Sequence, residues 1–377
     1  MDMLKNYIEE LIDKSTPQRP IWNVEKLRSG AKGSWNYIDG CMIKAILEMY
    51  TITKEDKYLE FADSFISFYV QEDGTISGYK AEDYNIDNVN AGKVLFELYA
   101  LTGKEKYRKA IDTVYEQVKS QPRTKEGNFW HKKIYPNQIW LDGLYMAQPF
   151  YMEYETKINK MNNYMDIYRQ FLNVEKIMKD PKTGLYYHAY DSSREMFWCD
   201  KETGLSKNFW LRALGWYTMA LLDTVEKMDD QIFYEYRRLM SIFKDVIDSM
   251  LKYQDEETGM WYQVIDKAGE KGNYLETSGS SIMAYAILKG VRLGYLPERY
   301  KKYGKKAFKG VCDKYLYERD GELCLGGICL VAGLGGADMR DGTYEYYMSE
   351  PIVENDAKGV APLLLAYTEI LRDQAAK

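Results

Sequence analysis

One pattern limits what this chain can fold into more than any other: apolar residues recur at helical spacing from end to end, broken at intervals by the same glycine and aromatic turn. Ile43, Leu47 and Tyr50, then Val94, Leu95, Leu98 and Leu101, then Tyr217, Ala220 and Leu221 each place their apolar side chains along one side of a helix. Roughly a dozen such segments have the length usual for globular helices, and runs of period two are almost missing. The predicted class is all-α. The turns read Gly127-Asn128-Phe129-Trp130-His131, Gly184-Leu185-Tyr186-Tyr187-His188 and Gly259-Met260-Trp261-Tyr262-Gln263, with weaker copies opened by Gly74 and Gly321. Each unit runs from a turn to an apolar helix and then to a polar one. The spacing is irregular and above roughly fifty residues, longer than a tetratricopeptide unit, and the extra length is assigned to the loops ahead of the apolar helices. About six helix pairs fit the chain, and closing them into a ring makes an (α/α)6 barrel with inner helices apolar all round and outer helices amphipathic. An open solenoid is the alternative: it would bind a protein along its concave face and needs no catalytic residues. No linker or composition shift divides residues 1–377, so a single domain is expected.

The net charge of −6 provides no basic field for a nucleic-acid backbone or an anionic membrane surface, although a few local cations in a cleft could still hold a small anion. Leu4, Tyr7, Ile8 and Leu11, with Lys5, Glu9 and Glu10 between them, read as an amphipathic helix and not as a signal peptide. No apolar run is long enough to cross a bilayer. Cys41, Cys199, Cys312, Cys324 and Cys329 are odd in number and lack a CxxC pair, which reads as reduced thiols in a cytoplasmic protein. The 35 Tyr and 8 Trp supply flat faces with polar edges, suited to stacking on a sugar as well as to packing.

Two aspartates hold the same place in successive units. Asp87 lies 12 residues before Tyr99 and Asp142 lies 12 before Tyr154, both at the opening of an apolar helix, and Asp39 stands similarly one unit earlier. Such a residue can simply cap the helix. Asp142 is the stronger candidate for chemistry, because Ile139-Trp140-Leu141 and Leu144-Tyr145-Met146 would desolvate its carboxylate and favour the protonated form that a general acid needs. The chain has 2 histidines, His131 and His188, at matching positions of the repeated turn. Without carboxylate help they make no typical zinc site, and HExxH spacing is absent, so no metal is expected. Arg212 puts a charge inside the apolar start of a helix, where it either pairs with a structural carboxylate or clamps a substrate carboxylate with its planar fork. No P-loop, dinucleotide fingerprint or GxSxG elbow is present, and no cofactor is implied.

These segments together resemble the unsaturated rhamnogalacturonyl hydrolases, family 105 of the glycoside hydrolases. The resemblance runs through Phe129-Trp130-His131-Lys132, Tyr135-Pro136, Trp140-Leu141-Asp142-Gly143-Leu144-Tyr145-Met146 and Thr183-Gly184-Leu185-Tyr186-Tyr187-His188-Ala189. It continues in Phe209-Trp210, Arg212, Gly215-Trp216-Tyr217, Thr258 to Gln263, Glu276 to Ser280, the glycine-rich Ala332 to Gly336 and Tyr344 to Tyr347, covering nearly the whole chain. It implies an (α/α)6 barrel, a general acid at Asp142 assisted by Asp87, and a sugar pocket lined by Tyr37, His131, Lys132, Trp140, His188, Trp210, Arg212 and Trp216. The implied substrate is a small oligosaccharide carrying an unsaturated uronyl residue, with no nucleic-acid or membrane partner. The implied chemistry is hydration of the C4=C5 enol ether, outside the two-carboxylate inverting and retaining schemes. A glycosaminoglycan-directed unsaturated glucuronyl hydrolase and a non-catalytic helical-repeat binding protein are the alternatives.

Overall fold

The computed structural model describes residues 2–229 and 231–375. Among these residues twelve long helices alternate between two concentric rings. The inner ring is α2 (Tyr37–Thr53), α4 (Lys93–Thr102), α6 (Leu141–Lys157), α8 (Leu211–Glu226), α10 (Thr277–Arg292) and α12 (Ala357–Ala375), and the outer ring is α1 (Asp2–Asp13), α3 (Asp56–Ser67), α5 (Glu105–Ser120), α7 (Tyr164–Met178), α9 (Phe233–Leu251) and α11 (Lys301–Tyr315). Each inner helix packs on the next, α4 by way of the short turn Asp87–Asn90 that precedes it, and α12 packs on α2 to close the ring. This is the expected (α/α)6 barrel.

The apolar pattern decides which helix goes where. In α10 every residue from Thr277 to Val291 is buried, whereas α5 and α9 bury one stripe each, such as Tyr107, Ala110, Ile111 and Val114, and turn their charges outward. The chain ends help to close the barrel: the Tyr7 hydroxyl of α1 donates to Asn355 Oδ1 at 2.8 Å, and Ala357 N donates to Trp22 O at 2.8 Å.

The repeated turns have a steric reason for their glycine. At Gly184 the backbone is left-handed, with φ +77°, and a Cβ would stand 2.3 Å from Ser249 Oγ on the neighbouring outer helix. Asp180 fastens this turn by accepting from both the backbone N–H and the hydroxyl of Thr183, and Asp255 does the same for Thr258 ahead of Gly259. The β-structure is slight. Strand β1 (Gln138–Trp140) pairs antiparallel with β2 (Ala189–Asp191), with Trp140 opposite Ala189, which ties together the loops leading to α6 and α8. No described helix is long and apolar enough to cross a membrane.

Candidate active site

The N-terminal ends of four inner helices, α2, α6, α8 and α12, and the turn that precedes α4 gather at one end of the barrel around a cavity of about 140 Å³. Helix starts carry unsatisfied N–H groups and partial positive charge, so this end of the barrel favours an anionic ligand. Nine of the ten expected site residues line the cavity: Tyr37, Asp87, His131, Lys132, Trp140, Asp142, Trp210, Arg212 and Trp216. His188 does not. Its ring is fully buried behind the wall, 4.8 Å from the Trp210 ring, and Nδ1 shares a 2.7 Å hydrogen bond with the Tyr347 hydroxyl. That contact orients Nε2 toward Asp142, 3.5 Å from Oδ2. His188 therefore reaches the cavity only through Asp142.

The three aspartates at helix openings have separate fates, and none caps its helix. Asn36 caps α2, while Asp39 accepts from Trp22 Nε1 at 2.9 Å and Asn36 Nδ2 at 2.6 Å and lies outside the cavity wall. Burial pushes the Asp39 carboxyl up to about 6, against these hydrogen bonds. Asp87 places Oδ1 3.2 Å from His131 Nε2 and Oδ2 2.6 Å from Lys132 Nζ. Burial alone would raise its pKa, but the Lys132 ammonium and then His131 outweigh burial and hold it well below the usual carboxylate range. Asp142, in the first turn of α6, makes no capping bond, and its buried Oδ2 has no hydrogen-bond partner among the described residues. The backbone fixes it: Leu141 N donates to His188 O at 3.1 Å, next to the Trp140 and Ala189 pairing. Glycine at 143 lets the wall close in, since a Cβ there would lie 2.9 Å from His131 Nδ1.

Arg212 is only 1% exposed, and Nη2 donates to Cys329 O at 2.6 Å while Nη1 has no hydrogen-bond partner among the described residues. No carboxylate among the described residues lies within 4.0 Å of the guanidinium, so a structural ion pair does not account for it. Its positive charge forms part of the cavity wall. Around it the rings form walls. Trp140 is stacked between His131, at 4.7 Å and 10°, and Tyr135, at 4.9 Å and 19°, and Trp216 stacks on Tyr145 at 4.9 Å and 10°.

Several wall residues were not expected. Lys358 hydrogen-bonds Glu25 and lies 3.1 Å from Asp356, and Arg340 donates to Tyr135 Oη and Gly335 O at 3.0 Å each. The glycine-rich segment has its explanation here, because a Cβ on Gly333 would stand 2.6 Å from Arg340 Nη1. A signal for Lys358 was present: Asp142, Arg212 and Lys358 are each the second residue of an inner helix. Nothing in the sequence brings Arg340 to the cavity, because a loop carries it there. Among the described residues no cluster of His, Cys, Asp and Glu is arranged to hold a metal ion.

A polar cavity walled by aromatic rings, with an acid and a guanidinium in its lining, on a closed double ring of helices defines a carbohydrate-active enzyme. The Glycosyl Hydrolase Family 88 model matches residues 8–374, and the chain belongs to that family. It is similar to a solved family 105 glycoside hydrolase from C. acetobutylicum, with 47% identity, a TM-score of 0.90 and 98% of each chain covered. It is also 27% identical to the unsaturated rhamnogalacturonyl hydrolase YesR of Bacillus subtilis, over 77% of this chain and 78% of that one. An unsaturated glucuronyl hydrolase from Bacillus sp. GL1 shares the fold, with 16% identity, a TM-score of 0.67, and 91% of this chain and 88% of that one covered.

Proposed function

We propose that the protein removes a 4,5-unsaturated uronyl residue from a rhamnogalacturonan-derived disaccharide by hydrating its C4=C5 enol ether. The observation that carries this reading is that one cavity wall holds both Asp142, backed by His188 Nε2 at 3.5 Å, and Arg212, a guanidinium with no carboxylate within 4.0 Å among the described residues. The substrate supplies a partner for each. Its carboxylate meets the Arg212 fork, and its electron-rich C4 meets the acid.

In the proposed sequence protonated Asp142 delivers its proton to C4, leaving an oxocarbenium-like C5. Water adds at C5 and returns a proton to the Asp142 carboxylate, so the acid is regenerated. The resulting hemiketal opens to a C5 carbonyl, and the hemiacetal exposed at C1 collapses to release the second sugar. Asp87, held ionised by Lys132 and His131, is a fixed negative charge that stabilises the cationic transition state and orients the water. The Trp140 and Trp216 faces hold the sugar ring. A cytoplasmic setting accords with five free cysteines.

Arg340 favours a second reading, an unsaturated glucuronyl hydrolase whose second sugar carries sulfate. It is a further guanidinium of the cavity wall with no carboxylate within 4.0 Å among the described residues. Relative rates on unsaturated pectin and glycosaminoglycan disaccharides decide between the two.

Solvent labelling tests the mechanism itself. In deuterium oxide the product must carry deuterium at C4, and in heavy-oxygen water the new C5 carbonyl must carry the label before exchange. The enol-ether ultraviolet absorbance must disappear as the second sugar is released. Full release with persisting absorbance would refute hydration, even if Asp142 proved essential.

A further inference from the structure

The opposite end of the barrel holds another cavity, of about 340 Å³, to which all six inner helices contribute. Its charges are almost completely paired. Lys289 Nζ lies 2.9 Å from Asp223 and 2.8 Å from Glu226, and Lys44 lies 2.8 Å from Glu48 and 2.7 Å from Glu97. Lys157 and Lys227 share Glu153, and Arg292 and Arg372 share Glu369. Lys93 is the exception. Among the described residues it has no carboxylate within 4.0 Å, and its Nζ rests 3.5 Å from the centroid of the Tyr145 ring. Burial pulls its ammonium down to about 8; Cys41 and Asp223 act in the other direction, and Lys44 and Lys289 add to the lowering.

We propose that this far-end cavity is a second ligand site, taking a small monocarboxylate the size of a sugar acid with its carboxylate on Lys93. The charge count sets the ligand's charge. One unmatched ammonium neutralises one negative charge, and the surrounding carboxylates and the helix C-termini would repel a dianion. A carboxylate gives a lysine ammonium a charge-assisted hydrogen bond, a stronger partner than an aromatic face. The volume is that of roughly ten waters at about 30 Å³ each, much more than a lone inorganic ion occupies. Thr51 and the paired charges offer partners for hydroxyl groups, and Phe96 and Pro149 an apolar flank. The site is separated from the catalytic cavity by one aromatic partition: Lys93 covers Tyr145, and Tyr145 stacks on Trp216 of the catalytic wall. The proposal does not depend on the reaction catalysed.

Isothermal titration calorimetry with galacturonate and with inorganic phosphate tests it on the wild type, Lys93→Gln and Lys93→Arg. A galacturonate binding event in the wild type should weaken at least about tenfold in Lys93→Gln and persist in Lys93→Arg. Equal galacturonate binding by wild type and Lys93→Gln, or tighter binding of phosphate than of galacturonate at this site, would overturn the proposal. A galacturonate-soaked crystal of the wild type covers the case in which Lys93→Gln fails to fold. The carboxylate must then appear at Lys93, and density confined to the catalytic cavity would equally overturn it.

Discussion

Lysine at position 212 keeps the positive charge at the start of α8 but replaces a rigid fork by a single nitrogen. In the structure Nη2 is committed to Cys329 O at 2.6 Å, and Nη1 has no hydrogen-bond partner among the described residues, which leaves it for the substrate carboxylate in the proposed function. An ammonium that satisfies the carbonyl has no second donor aligned with the substrate carboxylate. Losing one hydrogen bond to a charged group costs about 1.5–3 kcal/mol. At about 1.4 kcal/mol per factor of ten, Arg212→Lys should raise KM by about 10- to 150-fold, with kcat changed much less. No carboxylate is orphaned by the change, so the melting temperature should stay within about 3 °C. The assay is the initial rate of ultraviolet loss against unsaturated disaccharide concentration, with thermal unfolding followed by circular dichroism. An unchanged KM with a melting temperature lowered by more than about 5 °C would refute the substrate role and leave Arg212 a structural residue.

Asp142→Asn should lower kcat by about 10²- to 10⁴-fold with an unchanged circular dichroism spectrum, since the amide keeps the shape and cannot supply the proton; a variant of near wild-type activity would remove Asp142 from the mechanism. Lys132→Met should cost stability at neutral pH and flatten its acid dependence. The Asp87 pKa is depressed, so the stability it contributes is complete above the unfolded value near 3.9 and is lost as pH falls through the folded one; without Lys132 that contribution is missing at neutral pH and the two proteins converge in acid, and equal urea midpoints at about pH 7 would contradict the pairing. Gly184→Ala should destabilise by about 1–3 kcal/mol in urea unfolding, because of φ +77° and the close approach to Ser249, and an unchanged midpoint would show that the turn relaxes freely.

Much of this molecule is written in local pattern. An apolar repeat near 3.6 residues dictates helices whatever surrounds them, and its extent around each helix separates α10, buried on every side, from α5 and α9, buried on one. The glycine and aromatic turns mark where one helix pair gives way to the next. Asp142 and Arg212 were legible because each interrupts an apolar helix start, and a charge in such a place needs a reason.

The partners of those charges were not legible, because they come from segments distant in sequence that meet only when the ring closes. Asp87 meets Lys132 across 45 residues, and His188 meets Tyr347 across 159. The second of these moves an expected wall residue behind Asp142. Arg340 enters the cavity on a loop that no periodicity governs, held by Gly335 O and Tyr135. The isolation of Lys93 is likewise a property of the closed barrel: whether a lysine finds a carboxylate depends on what five other helices present to it. Helical periodicity is a property of neighbouring residues, whereas charge compensation is a property of the whole assembled ring.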